Sequence, residues 1–370
     1  MNDRDLNIII SGGGTGGHVF PALAIADALH RMERPVNILF VGAIGRLEMK
    51  KVPESGYRII GLPIAGIQRR LTWKNLLVPF KLIQSLNRSR KIVKEFKPDV
   101  VVGVGGYASG PVLRVAEKNG IPVLIQEQNS YAGITNRLLA GKADKVCVAY
   151  EGMDKYFPSE KIEITGNPLR SNLFGLEYKK EDALKHFGLS GEMKTILVIG
   201  GSGGARSINE SIMEHLTEFE NKAVQLIWQC GKNYYSRALE ALIDFSLPHV
   251  RLADFIDRMD YAYAAADVIV SRAGAGTISE LALVKKPVIL VPSPNVAEDH
   301  QMRNAMSLVK KNAAVLVRDE EARSALVNQA FMILEDNSKM KELSENIAKI
   351  AKPDSAGKIA EEVVRLADKG

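Results

Sequence analysis

Cysteine is scarce: Cys147 and Cys230 are the only two in 370 residues. They form neither a C-x-x-C pair nor a zinc-ligand spacing. That excludes a disulfide scaffold and a zinc module, and it predicts two buried thiols in a reducing cytoplasm. No apolar run is long enough to span a bilayer. The N-terminus carries Asp3 and Asp5 and lacks a signal-peptide pattern. Neither G-x-S-x-G nor G-x-x-x-x-G-K-[ST] occurs, which removes the serine-elbow hydrolases and the P-loop enzymes. The one Asp-x-Asp match, Asp3-Arg-Asp5, precedes the first strand and reads as a solvated tail, so no metal site is expected. Low-complexity segments and short repeats are missing too.

Charge is unevenly placed. The formal net charge is +6, yet Arg69 to Lys97 alone holds nine Lys/Arg against Glu95, a local +8 that leaves −2 elsewhere. A patch of this kind points to an anionic partner at one surface. Within it Trp73, Leu76, Leu77, Phe80, Leu82 and Ile83 interleave with Arg69, Arg70, Lys74 and Lys81. An apolar stripe rimmed by cations suits the surface of an anionic membrane. The alternative is a core helix with a basic outer face. Too few aromatics line the run for base stacking, so nucleic acid is not expected as a partner.

At 370 residues the chain exceeds what one core usually supports, and two domains are expected. Strand-like runs alternate with helix-length segments throughout, which predicts an α/β fold with doubly wound parallel sheets. The first cycle has strands at 7–10, 37–41, 100–104, 123–126 and 145–148. Its helices are expected at 21–32, 76–95, 111–119 and 134–140, with Pro21 in a first turn. A second cycle has strands at 195–199, 225–229, 250–253, 268–271, 288–291 and 314–317. The extended connector Ile164-Thr-Gly-Asn-Pro-Leu-Arg170 lies between them. The boundary is placed near Gly166, and the amphipathic stretch 355–367 is expected to return to the first domain.

Four glycine-rich turns each follow a strand and open a helix. Ser11-Gly-Gly-Gly-Thr-Gly-Gly-His18 ends the first strand, and Gly200-Gly-Ser-Gly-Gly-Ala205 ends the first strand of the second cycle. Bare N–H groups and a positive helix end suit an anion. A dinucleotide reading needs an acid at the end of the second strand. That strand ends Val41-Gly42-Ala43 with no acid until Glu48, which disfavours a nicotinamide cofactor. Gly103-Val-Gly-Gly-Tyr-Ala-Ser-Gly-Pro111 is the third turn. Its Gly105, Gly106 and Ser109 are expected to share one anion site with Gly14 of the first. The fourth, Ser271-Arg-Ala-Gly-Ala-Gly-Thr-Ile-Ser-Glu280, offers Gly276 and Thr277 to a diphosphate. Glu280, one turn further, either caps the helix or accepts from a ribose diol.

Among six histidines, His18 stands out. A helix N-terminus disfavours imidazolium, so this ring should stay neutral and able to take a proton. Its structural alternative is tying the loop through backbone bonds. His300 and Gln301, after the strand ending near Pro292, suit sugar hydroxyls.

Six motifs occur in order: Gly13-Gly-Thr-Gly-Gly-His-Val-Phe-Pro21, Gly105-Gly-Tyr-Ala-Ser-Gly-Pro111, Gln126-Glu-Gln-Asn129, Gly166-Asn-Pro-Leu-Arg170, Gly200-Gly-Ser-Gly-Gly-Ala205 and Arg272-Ala-Gly-Ala-Gly-Thr-Ile-Ser-Glu280. Together they resemble the MurG family of bacterial transferases across essentially the whole chain. The resemblance implies a GT-B architecture, two Rossmann-like domains with a cleft between them, and no cofactor. It implies an inverting transfer of N-acetylglucosamine from UDP-N-acetylglucosamine to lipid I, the undecaprenyl-diphosphate-linked muramyl pentapeptide, in peptidoglycan synthesis. The enzyme would sit peripherally on the cytoplasmic face of the inner membrane. Residues 1–166, with a helix at 354–369 packing back, would meet acceptor and membrane, and residues 167–353 would hold the donor.

The same resemblance assigns Thr15, Gly16 and Gly17 to phosphates and Asn129 to the N-acetylglucosamine. Arg170 and Ser202 would approach the uridine diphosphate, and Ile256 the uracil. Ala275, Gly276, Thr277, Ile278, Ser279 and Glu280 would cradle diphosphate and ribose, and His300 or Gln301 would read the sugar. His18 is the expected base, with Glu127 as its alternative. Two positions depart from the pattern: Gly203, where relatives often carry Gln, and Gly276, where relatives can carry Leu.

Overall fold

Ile8, Ile9 and Ile10, and likewise Val100, Val101 and Val102, have no exposed surface. Burial on both faces is what the centre of a parallel sheet demands. The computed structural model describes residues 4–64, 78–169, 173–201, 203–296 and 299–369. It divides into two compact units, Met1–Arg170 with Lys352–Gly370, and Ser171–Ala351.

Unit 1 contains strands β1 (Leu6–Ser11), β2 (Val36–Ala43), β3 (Arg58–Leu62), β4 (Val100–Gly103), β5 (Val123–Glu127), β6 (Lys145–Val148) and β7 (Ile162–Ile164). They lie in the order β3-β2-β1-β4-β5-β6-β7, and every pairing is parallel. Its helices are α1 (Gly16–His30), α2 (Glu48–Glu54), α3 (Val78–Phe96), α4 (Ser109–Lys118) and α5 (Ile134–Leu139).

Unit 2 opens with α6 (Lys180–Phe187) and has strands β8 (Lys194–Ile199), β9 (Val224–Gln229), β10 (Val250–Ala253), β11 (Val268–Ser271), β12 (Val288–Leu290) and β13 (Val315–Leu316). Their order is β10-β9-β8-β11-β12-β13, again parallel throughout. Between and after them run α7 (Arg206–Glu214), α8 (Leu216–Asn221), α9 (Tyr235–Leu242), α10 (Met259–Ala265), α11 (Ala275–Val284), α12 (His300–Val309), α13 (Ala322–Glu335) and α14 (Asn337–Ala348). The chain then returns to unit 1 as α15 (Ser355–Ala367). There Ile359, Val363 and Leu366 bury against Ala22, Ile25 and Leu29 of α1. Burying each large aliphatic fully is worth about 1.5–3 kcal/mol.

Strand order reverses between β1 and β4 in unit 1, and between β8 and β11 in unit 2. Such reversals open a crevice at the carboxyl edge of the sheet. Ser11 pairs with Gly103 and Ile199 with Ser271, so in each unit two glycine turns leave the sheet at one level, flanking the crevice.

Three details differ from the sequence reading. Two edge strands, β3 and β7, join the first sheet. Helix α1 begins at Gly16, so Pro21 lies inside it and not in its first turn. The glycines are themselves the helix N-terminus. Ile164, the first residue of the expected connector, is the last residue of β7, paired with Val148 of β6. Both cysteines are free and buried, and burial pushes the Cys147 thiol up to about 12 and Cys230 to about 11.

Candidate active site

In unit 1 the first and third glycine turns pack directly on each other. Gly13 N–H donates to Gly105 O at 3.3 Å. A Cβ on Gly106 would sit 2.4 Å from Gly13 O, and Gly106 adopts φ +83°, so both space and backbone require glycine there. Glu48 lies behind this pair, 1% exposed. Its Oε2 accepts from Gly14 N–H at 2.8 Å and its Oε1 from Ala43 N–H at 2.9 Å. The carboxylate, on the first turn of α2, therefore ties the glycine turn to the end of β2 through main-chain N–H groups.

That geometry bears on two expectations. Gly14 spends its N–H on Glu48, and an anion placed there would meet a carboxylate. Ser109 is fully buried and donates its hydroxyl to Gly106 O at 2.9 Å, so it shapes the turn from within.

His18 sits in the first turn of α1, partly buried, with Nδ1 3.3 Å from Thr15 Oγ1. Burial holds its imidazole below the ordinary histidine range; the fields of Glu127 and Glu48 and a bond to the Gly13 main chain oppose this in part. A neutral ring anchored to the main chain keeps a nitrogen able to accept a proton. The space beside the Gly105 Cα is bounded by His18 Nε2 and the Asn136 amide.

Glu127, at the end of β5, is 2% exposed. Its Oε1 accepts from Asn129 N–H at 3.0 Å and from Asn129 Nδ2 at 3.4 Å. Its Oε2 accepts from Gly133 N–H at 2.9 Å and Asn136 Nδ2 at 2.8 Å. Four donors engage both oxygens, so the carboxylate organises the turn that presents Asn129. Nearby, Gln126 Nε2 donates to Asn167 Oδ1 at 3.2 Å, tying β5 to the connector.

In unit 2 the turn after β8 packs on the end of β9. A Cβ on Gly204 would meet Cys230 O at 2.3 Å. Behind the start of α7 the Arg272 guanidinium donates to Asp319, to Val291 O at 3.0 Å and to Ser207 Oγ at 3.2 Å. Within α11 the first backbone bond runs from Ile278 N–H to Gly274 O, so the N–H groups of Gly276 and Thr277 precede the intrahelical ladder. Gly203 and Gly276 have no atom within 4 Å of a built Cβ and no positive φ, so both positions accept a side chain.

Glu280, in the second turn of α11, accepts from Tyr263 Oη at 3.0 Å and does not serve as the cap, which is Gly274. Ser279 turns its hydroxyl back to Ala275 O at 3.1 Å. Ile278 and Ile256 lie in the core, and Ile256 N–H donates to Gln229 Oε1 at 3.0 Å, so that amide is not offered to a base. Gln301 Oε1 accepts from Ser293 N–H at 2.9 Å, which sets the side chain beside the β12 turn, and His300 opens α12.

Arg170 and Ser202 fall outside the described residues, as do Arg69, Arg70, Trp73, Lys74, Leu76 and Leu77. Of the basic segment, Phe80, Leu82 and Ile83 are exposed and Lys81 is half-buried. The buried face of α3 is made by Ser85, Ser89, Ile92 and Val93, so the large side chains of its first turns are not core residues. Among the described residues no helix is long and apolar enough to cross a membrane, and no three His, Cys, Asp or Glu side chains are grouped to hold a metal ion.

Glu48, Asn136, Arg272 and Tyr263 were not singled out as site residues from the sequence. Only Glu48 carried a signal, as the first acid after β2.

Two units, each an all-parallel sheet flanked by helices with a crevice where strand order reverses, are the architecture of the GT-B glycosyltransferases. Residues 8–148 match the glycosyltransferase family 28 N-terminal domain and residues 195–360 its C-terminal domain. The chain belongs to glycosyltransferase family 28. It is 55% identical, over 99% of both chains, to the UDP-N-acetylglucosamine–N-acetylmuramyl-(pentapeptide) pyrophosphoryl-undecaprenol N-acetylglucosamine transferase of Bacteroides thetaiotaomicron. The protein of that name from Parabacteroides distasonis is 56% identical over 99% of this chain and 100% of its own. The crystal structure of Acinetobacter baumannii MurG superposes with a TM-score of 0.76 at 28% identity, covering 97% of this chain and 99% of that one.

Proposed function

We infer that this protein transfers N-acetylglucosamine from UDP-N-acetylglucosamine to lipid I, giving lipid II. The observation that carries the reading is identity above half, over the full length, with transferases named for that donor and acceptor. Its two crevices supply the half-sites such a reaction needs.

Unit 2 takes the donor. The start of α11 meets the diphosphate with main-chain N–H groups, and Arg272 lies behind the neighbouring start of α7, so charge developing on the leaving UDP is stabilised by fixed dipoles. Glu280 accepts from the ribose diol, and Gln301 or His300 reads the sugar. Unit 1 takes the acceptor. The muramyl 4-hydroxyl attacks the anomeric carbon, the bond to UDP breaks with inversion, and the hydroxyl proton passes to His18. Asn129, aimed by Glu127, meets the N-acetyl sugar. Glu127 is an orienting group in this scheme, because four donors already occupy its oxygens. The acceptor diphosphate is left to the N–H groups of Gly16 and Gly17, since Gly14 is engaged by Glu48.

The exposed Phe80, Leu82 and Ile83 beside Lys81 form a lip that rests on an anionic membrane surface, holding the enzyme peripherally where its lipid acceptor lies. Product analysis tests the activity: UDP-N-acetylglucosamine with a lipid I analogue yields the disaccharide lipid and UDP. Formation of a UDP-sugar epimer without acceptor consumption would overturn it. Phe80→Ser with Lys81→Gln should release the protein from anionic vesicles, most clearly at low salt. Undiminished vesicle binding would remove the lip.

A further inference from the structure

Tyr263 is 1% exposed and packs in the core of unit 2 with Ile256, Ile278 and Leu281. A buried tyrosine must place its hydroxyl on a partner. It uses that hydroxyl on Glu280 Oε2, at 3.0 Å, across from α10 to α11. Glu280 itself is only partly buried, in the second turn of the helix whose N-terminus faces the crevice. The bond thus runs from the rigid interior to a carboxylate at the edge of the site.

The tyrosine's own helix is clamped. Asp260, three residues before it, is held by Arg258 through Nε at 3.0 Å and through Nη2 at 2.9 Å, and by Lys179 Nζ at 3.3 Å. The Arg258 guanidinium lies 3.7 Å from the Tyr261 ring centroid. A glutamate side chain has three torsions to order when it meets a ligand. A fixed donor on one oxygen orders them beforehand, which removes that cost from binding.

We propose that Tyr263 is a positioning residue for nucleotide recognition, holding Glu280 in the orientation that accepts the ribose hydroxyls. This rests on the reading of Glu280 as the ribose ligand. The tyrosine does not touch the nucleotide; it acts through the carboxylate. Nothing in its sequence surroundings, Met-Asp-Tyr-Ala-Tyr-Ala-Ala-Ala266, marks it out.

Calorimetry of the full chain with UDP and with 2′,3′-dideoxy-UDP tests this. The ratio of the two affinities in one preparation is the readout, so a change in folded fraction cancels. In the native protein UDP should bind more tightly than the dideoxy analogue. Tyr263→Phe should weaken UDP by about two- to tenfold, the worth of one pre-ordered side chain. It should leave the dideoxy analogue unchanged, so the ratio narrows. In turnover the same variant should raise KM for UDP-N-acetylglucosamine and leave kcat within about twofold, as loss of uniform binding does. Equal weakening of both ligands would make Tyr263 a packing residue only, and unchanged affinity for both would deny it any role. Glu280→Ala separates the underlying reading. It should abolish the preference for UDP, and a preference that survives would overturn the ribose assignment itself.

Discussion

Behind the glycine turn that follows β1 stands a carboxylate; behind the helix that follows β8 stands a guanidinium. The two turns are spelled almost alike, Gly-Gly-Gly-Thr-Gly-Gly and Gly-Gly-Ser-Gly-Gly. Glu48 bonds two main-chain N–H groups, one of them from the turn itself, and pairs with no lysine or arginine among the described residues. Arg272 is matched by Asp319 and reaches the first turn of α7 through Ser207. One glycine pattern thus serves two purposes. In unit 2 it brings the turn that opens α7 against the end of β9, with Gly204 beside the Cys230 carbonyl. In unit 1 it lets a carboxylate and a second turn approach the backbone closely, and it surrounds a histidine with negative field. A glycine-rich turn after a strand says that something comes close; the charge behind it says what.

The largest expected effect falls on His18. His18→Ala should lower kcat by about 10²–10⁴, the usual worth of a placed base, with UDP affinity unchanged. Loss of UDP binding with intact chemistry would move the histidine to the nucleotide and erase the contrast between the units. The pH profile sharpens the point. Burial depresses the His18 pKa, so kcat/KM should hold through neutral pH and fall only below the ordinary histidine value of about 6.5, as the ring protonates.

Glu48→Gln comes next. An amide cannot accept at both oxygens, so Gly14 or Ala43 loses its acceptor, a cost of about 1–3 kcal/mol to the turn. With one of the two charges that raise His18 removed, the acid limb of kcat/KM should move to lower pH. The Glu127 charge and the Gly13 bond remain. Movement to higher pH, or none, would contradict the field assigned to Glu48.

The smallest effects belong to two glycines of unit 2. Gly203→Gln and Gly276→Leu should each change kcat/KM by less than about threefold, as surface changes away from packed features do. Gly13→Ala should behave oppositely. Its Cβ would lie 2.2 Å from the Glu48 carboxylate at φ +148°, so the turn must move and turnover should fall. A tolerated Gly13→Ala would mean the close approach is not needed.

Most of this fold was legible because central parallel strands are continuous apolar runs. The edges were not. β3 reads Arg-Ile-Ile-Gly-Leu and β7 only Ile-Glu-Ile, and an edge strand carries too few buried residues to stand out. The start of α1 was obscured because five glycines and a threonine argue against a helix by propensity, yet the helix begins at Gly16, within them. Among the candidate site residues, His18, Glu127 and Glu280 were singled out by motif and position. Glu48 stood in view as the first acid after β2, but its direction toward Gly14 depends on a turn that local sequence does not specify. Tyr263 lies in an alanine-rich helix and acquires meaning only where α10 meets α11. The N–H of Ile256 was spoken for by Gln229, a pairing between residues far apart in sequence.

The central claim is that uridine diphosphate is gripped by the helix starts of unit 2 while the glycine turn of unit 1 serves the base. Amide NMR of the uniformly labelled full chain during a UDP titration tests it most directly. The account predicts the largest shifts at Gly276, Thr277 and Glu280, with Gly14 and Gly106 little moved. Shifts centred on Gly14, Gly105 and Gly106, with α11 silent, would contradict it.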